Sequence, residues 1–382
     1  MSSMTRLVSD QSNLFTRGLA VAWIVAVALP LFASMQAEHP WRGVPLLGVV
    51  LWFGLLRVAR WLSPASRADA LMARGKYDQA LALCEQALAV SGDHAWVGTR
   101  RLVWLNRRTN ALLGLGRARD ALTSALEAMA FSADPETVGN CAMTLLRLNR
   151  YEEATGAARL ALSLTRERSV ISHAVLSQVM LARGMRAEAE AMAKAGAEDA
   201  SALIPLVRTE YYAMCLAAAS RAIRLLGRKD QAKRYLDELR KVTRTSPFTR
   251  CLALIEEADG LAARGDAAEL APRIFELLAS ARELAPSYVY WYLTQPGTFV
   301  RPADDEQLIK ERSAASAYLQ EMTSAAPSIQ NVAMALAVAQ RNARPRPAPQ
   351  ASREALLVQV ITLSGTFALL LLWTWHFYLS GA

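Results

Sequence analysis

The sequence predicts an all-α protein in which an array of helix hairpins sits between membrane-spanning apolar segments. Three observations predict this class. The chain's 382 residues are 53% hydrophobic with a mean hydropathy of +0.15, yet 20% are charged, so apolar and ordinary soluble stretches must be segregated. Charge-free apolar runs lie near both ends, and a short turn motif recurs five times between them. The length also exceeds what one hydrophobic core usually holds, which fits several regions or an extended repeat array.

The N-terminal elements come first. Residues 1–17 read as a short tail, and 18–62 as a helical hairpin in the membrane. Its first arm, GLAVAWIVAVALPLFASM from Gly18 to Met35, has no charge and suits a hydrocarbon layer of about 30 Å at 1.5 Å per residue. A cleaved signal peptide would need small residues at a cleavage site, and MQA and SMQ match that pattern poorly. The second arm, VPLLGVVLWFGLL from Val44 to Leu56, is shorter but flanked by Trp41, Arg42, Arg57, Arg60 and Trp61, which suit an interface. At the other end, residues 355–379 form an uncharged run with Trp373, Trp375 and Tyr378 gathered toward its close, as in an interfacial aromatic belt. Arginines and lysines cluster before the first arm, after the second and before the last segment. That bias places the N-terminus and residues 63–340 in the cytoplasm and the C-terminus outside; a second arm that did not cross would reverse the side of residues 63–340. The short spans and the Ala/Arg-rich composition point to a multi-pass protein of a bacterial inner membrane.

Residues 63–340 carry the repeat. GKYDQAL begins at Gly75, GRARDAL at Gly116, NRYEEAT at Asn149, GMRAEAE at Gly184 and GRKDQAK at Gly227, at intervals of 41, 33, 35 and 43 residues. Each opens on glycine or asparagine, which tolerate the left-handed conformation that closes a helix. Five residues on stand Ala80, Ala121, Ala154, Ala189 and Ala232; twelve on stand Ala87, Ala128, Ala161, Gly196 and Leu239. Seven before the turn stand Ala68, Thr109, Ala142, Ser177 and Ser220. Short side chains at these places let antiparallel helices approach closely.

These residues resemble the tetratricopeptide repeat (TPR) superfamily, whose period is 34 residues. The third copy is the closest, with Ala142, Leu145, Asn149, Tyr151, Ala154 and Ala161, and Gly75, Tyr77, Ala80 and Ala87 match in the first. Copies four and five depart from it, with Arg186 and Lys229 in the aromatic position. The resemblance covers about residues 63–242 and implies a TPR-like α-solenoid that holds a helix or an extended peptide in a concave groove. Downstream, residues 247–286 read as paired amphipathic helices with Pro272 at a helix start or break. YVYWYLTQPGTFVRPADD reads as a loop or divergent cap, residues 304–340 as two further helices, and 341–354 as a Pro/Arg-rich linker.

Motifs for chemistry do not emerge. His39, His94, His173 and His376 form no i, i+4 pair, and there is no HExxH, GxxxxGK[ST] or GxSxG. Cys84, Cys141, Cys215 and Cys251 stand far apart without a CxxC pair and read as reduced, buried small hydrophobes. His173 reads as structural, and Asp304, Asp305 and Glu306 as helix-capping carboxylates. No enzyme activity, metal or cofactor is expected.

Two features point to contacts. Arg100, Arg101, Arg107 and Arg108 form one basic cluster and Arg221 to Arg244 a second. Such charge suits first a solvated face, then an anionic membrane or an acidic protein, and only distantly nucleic acid. Tyr288, Tyr290, Trp291 and Tyr292 suit either a cap on the array's last open face, the favoured reading, or a binding hot spot. The expected function is a non-catalytic membrane-anchored scaffold that binds, assembles or stabilises protein partners. The alternatives are an accessory subunit of a larger membrane complex, where Gln359, Thr362, Ser364, Gly365 and Thr366 would serve close helix contact, and an enzyme or transport-related component with an unrecognised site. The hairpin-then-repeats layout also resembles inner-membrane repeat proteins of the haem-biosynthesis-associated type, from which the apolar C-terminal segment departs.

Overall fold

A computed structural model describes residues 64–90, 95–165, 167–201, 210–242, 246–264, 269–299, 306–324 and 326–342. The three apolar segments lie outside these residues, as does the linker expected at 341–354 except for Arg341 and Asn342, which end the last helix. Among the described residues no helix is long and apolar enough to cross a membrane.

The described chain forms fifteen helices and no strand. Six hairpins come first: α1 Pro64–Ala73 with α2 Tyr77–Val90, α3 Ala95–Gly114 with α4 Ala118–Phe131, α5 Pro135–Arg147 with α6 Tyr151–Thr165, α7 Val170–Ala182 with α8 Arg186–Ser201, α9 Glu210–Leu225 with α10 Lys229–Val242, and α11 Pro247–Ala262 with α12 Ala271–Leu284. Pro272 stands in the first turn of α12, where its missing N–H costs nothing. Then follow α13 Pro286–Leu293, α14 Glu306–Ser324 and α15 Ile329–Asn342.

The first five hairpins turn in the same way. Gly75, Gly116, Asn149, Gly184 and Gly227 all have φ between 56° and 83°. At Gly116, for example, the residue's own N–H reaches the Leu113 carbonyl at 3.1 Å and the next N–H reaches Leu112 at 2.9 Å, so the last carbonyls of α3 are satisfied within the turn. Asn149 is the one non-glycine of the five, and it too enters the left-handed region.

Small residues let the hairpins stack. Ala68, Ala80, Ala121, Ala128, Ala142, Ala154, Ala161 and Ala189 have no exposed surface, Ala232 is nearly buried, and Ala87 is half-buried. Gly196 shows why size matters: a Cβ there would stand 2.6 Å from Cys215 Sγ on α9 and 2.7 Å from His173 Cβ on α7. A second helix is thus squeezed between its own partner and the first helix of the next hairpin. Tyr77 packs on Gly114 with similar closeness, a Cβ there falling 2.3 Å from the ring. Arg186, where copies one and three have tyrosine, donates instead to the Leu225 carbonyl at 2.9 Å and so caps the end of α9.

First helices pack in a row, α1 on α3, α3 on α5, α5 on α7, α7 on α9 and α9 on α11, with the second helices behind them. The row curls until the α1–α2 turn meets the start of α11, where a Cβ on Gly75 would stand 3.1 Å from Pro247 Cγ. Helix α13 packs against α12 and α14, while α15 crosses α4 and α6.

Candidate functional site

The concave face of the row is the place where such an array would take a ligand, and here it holds the chain's own segment Pro286–Phe299. The segment begins with α13 rather than with the expected loop. Pro286 presets its first turn, and Tyr288, Trp291 and Tyr292 fall on one face at i, i+3 and i+4. All three are nearly or fully buried. Their surroundings are α5, α9 and α11, the inner helices, so they plug the interior more deeply than an end cap would. This corrects the expectation that Tyr288, Trp291 and Tyr292 offer a surface to a partner or a membrane. Tyr290 points the other way, half-buried between Tyr318 at 5.4 Å and the Arg282 guanidinium at 5.7 Å.

Three sets of contacts hold the segment. At the α5–α6 turn, Trp291 Nε1 donates to the Leu146 carbonyl and to Asn149 Oδ1, each at 3.0 Å. Asn149 Oδ1 also accepts from Gln295 Nε2 at 3.1 Å and from Tyr151 Oη at 3.0 Å. The left-handed Asn149 therefore closes one hairpin and anchors a segment about 145 residues away in sequence.

Beside it lies Arg147, the last residue of α5. Its guanidinium sits over the rings of Tyr288 at 4.2 Å, Trp291 at 5.2 Å and Phe248 at 5.8 Å. Burial pulls its pKa down from the usual arginine value, and the ring faces supply electrostatic attraction to the guanidinium. A cavity of about 20 Å³ adjoins it, lined by Gly116, Ser287, Trp291 and Tyr318 among others, room for one water molecule.

The third set is a buried ionic cluster between α9, α11 and α13. Arg224 reaches Asp259 at 2.5 Å and Glu256 at 3.5 Å, and both carboxylate side chains are only 2% exposed. The Tyr292 hydroxyl lies 2.8 Å from Glu256 Oε1 and 3.2 Å from Asp259 Oδ2. Two contacts clamp main chain: Arg221 donates to the Pro296 carbonyl at 2.6 Å, and the Phe299 N–H donates to Asp259 Oδ1 at 2.6 Å. Burial, together with the charge of Asp259, pushes the Glu256 carboxyl up to about 7 against the pull of Arg224 and Arg221. Burial also opposes ionisation of Asp259, but Arg224, Arg221 and the Phe299 N–H outweigh it and hold this carboxyl below its usual value. Burial drives the Tyr292 phenol well above its ordinary range.

The rest of the C-terminal region continues the closure. Tyr318 Oη donates to the Gly116 carbonyl at 2.7 Å, Arg150 to the Pro327 carbonyl at 2.6 Å, and Arg312 to the Thr298 carbonyl.

The arginine clusters divide. Arg107 makes a forked pair with Asp69 at 2.7 and 2.8 Å and lies near Trp104, and Arg101 and Arg108 both approach Glu127. These pairs are partly exposed and tie α3 to α1 and α4. The side chain of Arg100 lies outside the described residues. In the second cluster, Arg221 and Arg224 correct the solvated-face reading, because both turn inward; Arg221 is 1% exposed. Arg228 and Lys194 share Glu190, and Arg240 pairs with Asp237 and Glu257.

His173 is buried, with Nε2 3.0 Å from the Glu167 carbonyl and 3.3 Å from Asp199. The four cysteines are free and fully buried. Burial raises every thiol, to about 11 for Cys84 and about 12 for Cys141 and Cys251, which keeps them protonated at neutral pH. Among the described residues no group of three or more His, Cys, Asp or Glu side chains is arranged to hold a metal ion.

The sequence reading missed Arg147, Glu256, Asp259 and Gln295. A signal for the carboxylates was present. In α11, Leu252, Ile255, Glu256 and Asp259 follow i, i+3, i+4, i+7, which places two acids on the apolar stripe, and in α9 Arg221 and Arg224 stand likewise beyond Ala217 and Ser220.

Compared with known proteins, the chain matches no family model, no curated protein and no solved structure.

Proposed function

We propose that this chain is a non-catalytic, membrane-anchored scaffold built on a TPR-like α-solenoid, which assembles or stabilises protein partners at a bacterial inner membrane. The observation that carries the reading is the stack of similarly turned helix hairpins whose first helices line one continuous inner face. Repeat arrays of this kind offer extended surfaces rather than a reaction centre. The apolar segments at 18–62 and 355–379 would tether the array at both ends and limit its orientation.

A second reading, an accessory subunit of a larger membrane complex, is favoured by the occupied inner face. With Pro286–Phe299 in place, a partner either displaces that segment or docks elsewhere, on the outer helices or on the spans. Purification of the tagged native protein in a mild detergent separates the two. Soluble clients in stoichiometric amount, gained or lost when Trp291→Ala loosens the segment, support a recruiting groove. Integral membrane subunits retained regardless of that substitution support the accessory role. A purified protein that turns over a small substrate would overturn both.

A further inference from the structure

Helix α15 presents two apolar faces, and only one of them is used. Val332 and Ala339 are buried against the array, with Ala335 and Leu336 beside them. On the other side Ile329 is 68% exposed, Met334 65% and Val338 46%, and Ala333 and Ala337 lie open between them. These are three of the eight large apolar side chains most exposed among the described residues, gathered within three turns of one helix. Met334, Ala337 and Val338, at i, i+3 and i+4, form one strip, with Ile329 at the helix start on its flank; scattered apolar residues need no partner, but such a strip does.

Charge and chain length say what covers it. Between Glu321 and Glu354 the chain has no acidic residue and four arginines, Arg341, Arg344, Arg346 and Arg353. Twelve residues separate the end of α15 from the apolar run at 355–379, so the helix can lie no more than about 47 Å from the start of that run. An apolar stripe that is free of acids, followed by arginines and tethered near a membrane, has the composition of an interfacial helix.

We propose that the outward face of α15 docks on an anionic lipid surface, with Met334, Ala337 and Val338 in the headgroup–acyl boundary and Arg341, exposed on the same side of the helix, against lipid phosphates. Each basic residue near such a surface contributes about 1 kcal/mol, and the apolar side chains add their burial. Docking would hold the α4–α6 side of the array toward the bilayer and fix its rotation, which two flexible tethers alone would not do. The proposal rests on the reading of 355–379 as a span.

The test uses the full chain reconstituted into bilayers containing phosphatidylglycerol, with a fluorescent label on single introduced cysteines, the native thiols being buried. Labels at Met334→Cys and Val338→Cys should show a several-fold larger loss of emission to a lipid-borne quencher than a label at Met185→Cys on the α7–α8 turn. They should also resist aqueous iodide, and replacement of the anionic lipid by phosphatidylcholine should weaken both effects. Iodide-accessible labels on α15, with Phe367→Cys still quenched from the lipid, would overturn the docking and leave the span intact. Loss of lipid quenching at Phe367→Cys as well would overturn the span reading and the docking together. Pyrene excimer emission between two copies labelled at Val338→Cys would assign the face to a second copy and also overturn it.

Discussion

The two halves of the described chain are held by different physics. From α1 to α10, contacts run between neighbours in sequence: alanine packs against alanine, turns are closed by their own backbone, and partly exposed ion pairs such as Arg107–Asp69 and Arg101–Glu127 tie neighbouring helices together. From α13 onward, contacts reach back across the chain and are largely polar or aromatic, and they include two arginines and two carboxylates out of water. Small-residue stacking gains dispersion and loses little side-chain entropy, so each hairpin adds stability without specifying a unique distant partner. A buried hydrogen-bonded cluster gains little net stability but penalises every arrangement that leaves one member unpaired. In this molecule the first device builds the array and the second fixes where its tail goes.

The largest expected effect falls on the second device. Asp259→Ala leaves Arg224 buried without its nearest anion and frees the Phe299 N–H, so chemical denaturation should show a loss of about 3–5 kcal/mol. In the array, Ala154→Trp forces a large ring into a site with no exposed surface between α5 and α6, and a loss of about 3 kcal/mol or more is expected from the same measurement. If the halves are independent, the Asp259 variant should loosen residues 286–299 more than α3–α8, and the Ala154 variant the reverse.

The array was legible because its determinants are local. Gly116 or Asn149 at a turn, an alanine five residues on and another twelve on can be read from one window, and the helices lie where those windows place them. The docked segment was not legible because its partners are far off. Nothing within YVYWY says that Trp291 bonds the Leu146 carbonyl, and Pro296-Gly297 argues locally for a loop. What could be read, and was not, is that Arg221, Arg224, Glu256 and Asp259 occupy core-face positions of two apolar helices. Buried opposite charges on helices of one fold imply a meeting place. Arg147, set among aromatic rings, leaves no such trace.

A smaller effect of the buried cluster depends on pH. Glu256 has a folded pKa of about 7, above its unfolded value, so its contribution is full below the unfolded pKa and is lost as pH rises through 7. The depressed Asp259 acts in the opposite sense, but only at pH below its ordinary carboxylate range. Lowering the pH from about 8 to 5.5 should therefore raise the melting temperature, and Glu256→Gln should flatten that dependence. A profile that stays the same in the variant would remove Glu256 as its source.

The smallest effect is a difference between two turns. Gly116→Ala and Gly184→Ala each place a Cβ at a φ near +75°, with a cost of roughly 1–2 kcal/mol. At Gly184 nothing lies within 4 Å, whereas at Gly116 the new atom would stand 2.4 Å from the Tyr318 hydroxyl oxygen and 2.5 Å from Ser287 Cβ. The Gly116 variant should be the less stable in thermal melts, and equal losses would mean that α13 and α14 do not approach that turn.

The most direct test of the account is amide hydrogen exchange of residues 288–299 in the intact chain. A segment docked in the inner groove, with the Phe299 N–H on the Asp259 carboxylate, should be protected to the same degree as α5 and α9. Exchange of that segment within seconds, while α5 and α9 stay protected, would mean that the groove is open and that the tail is not its occupant.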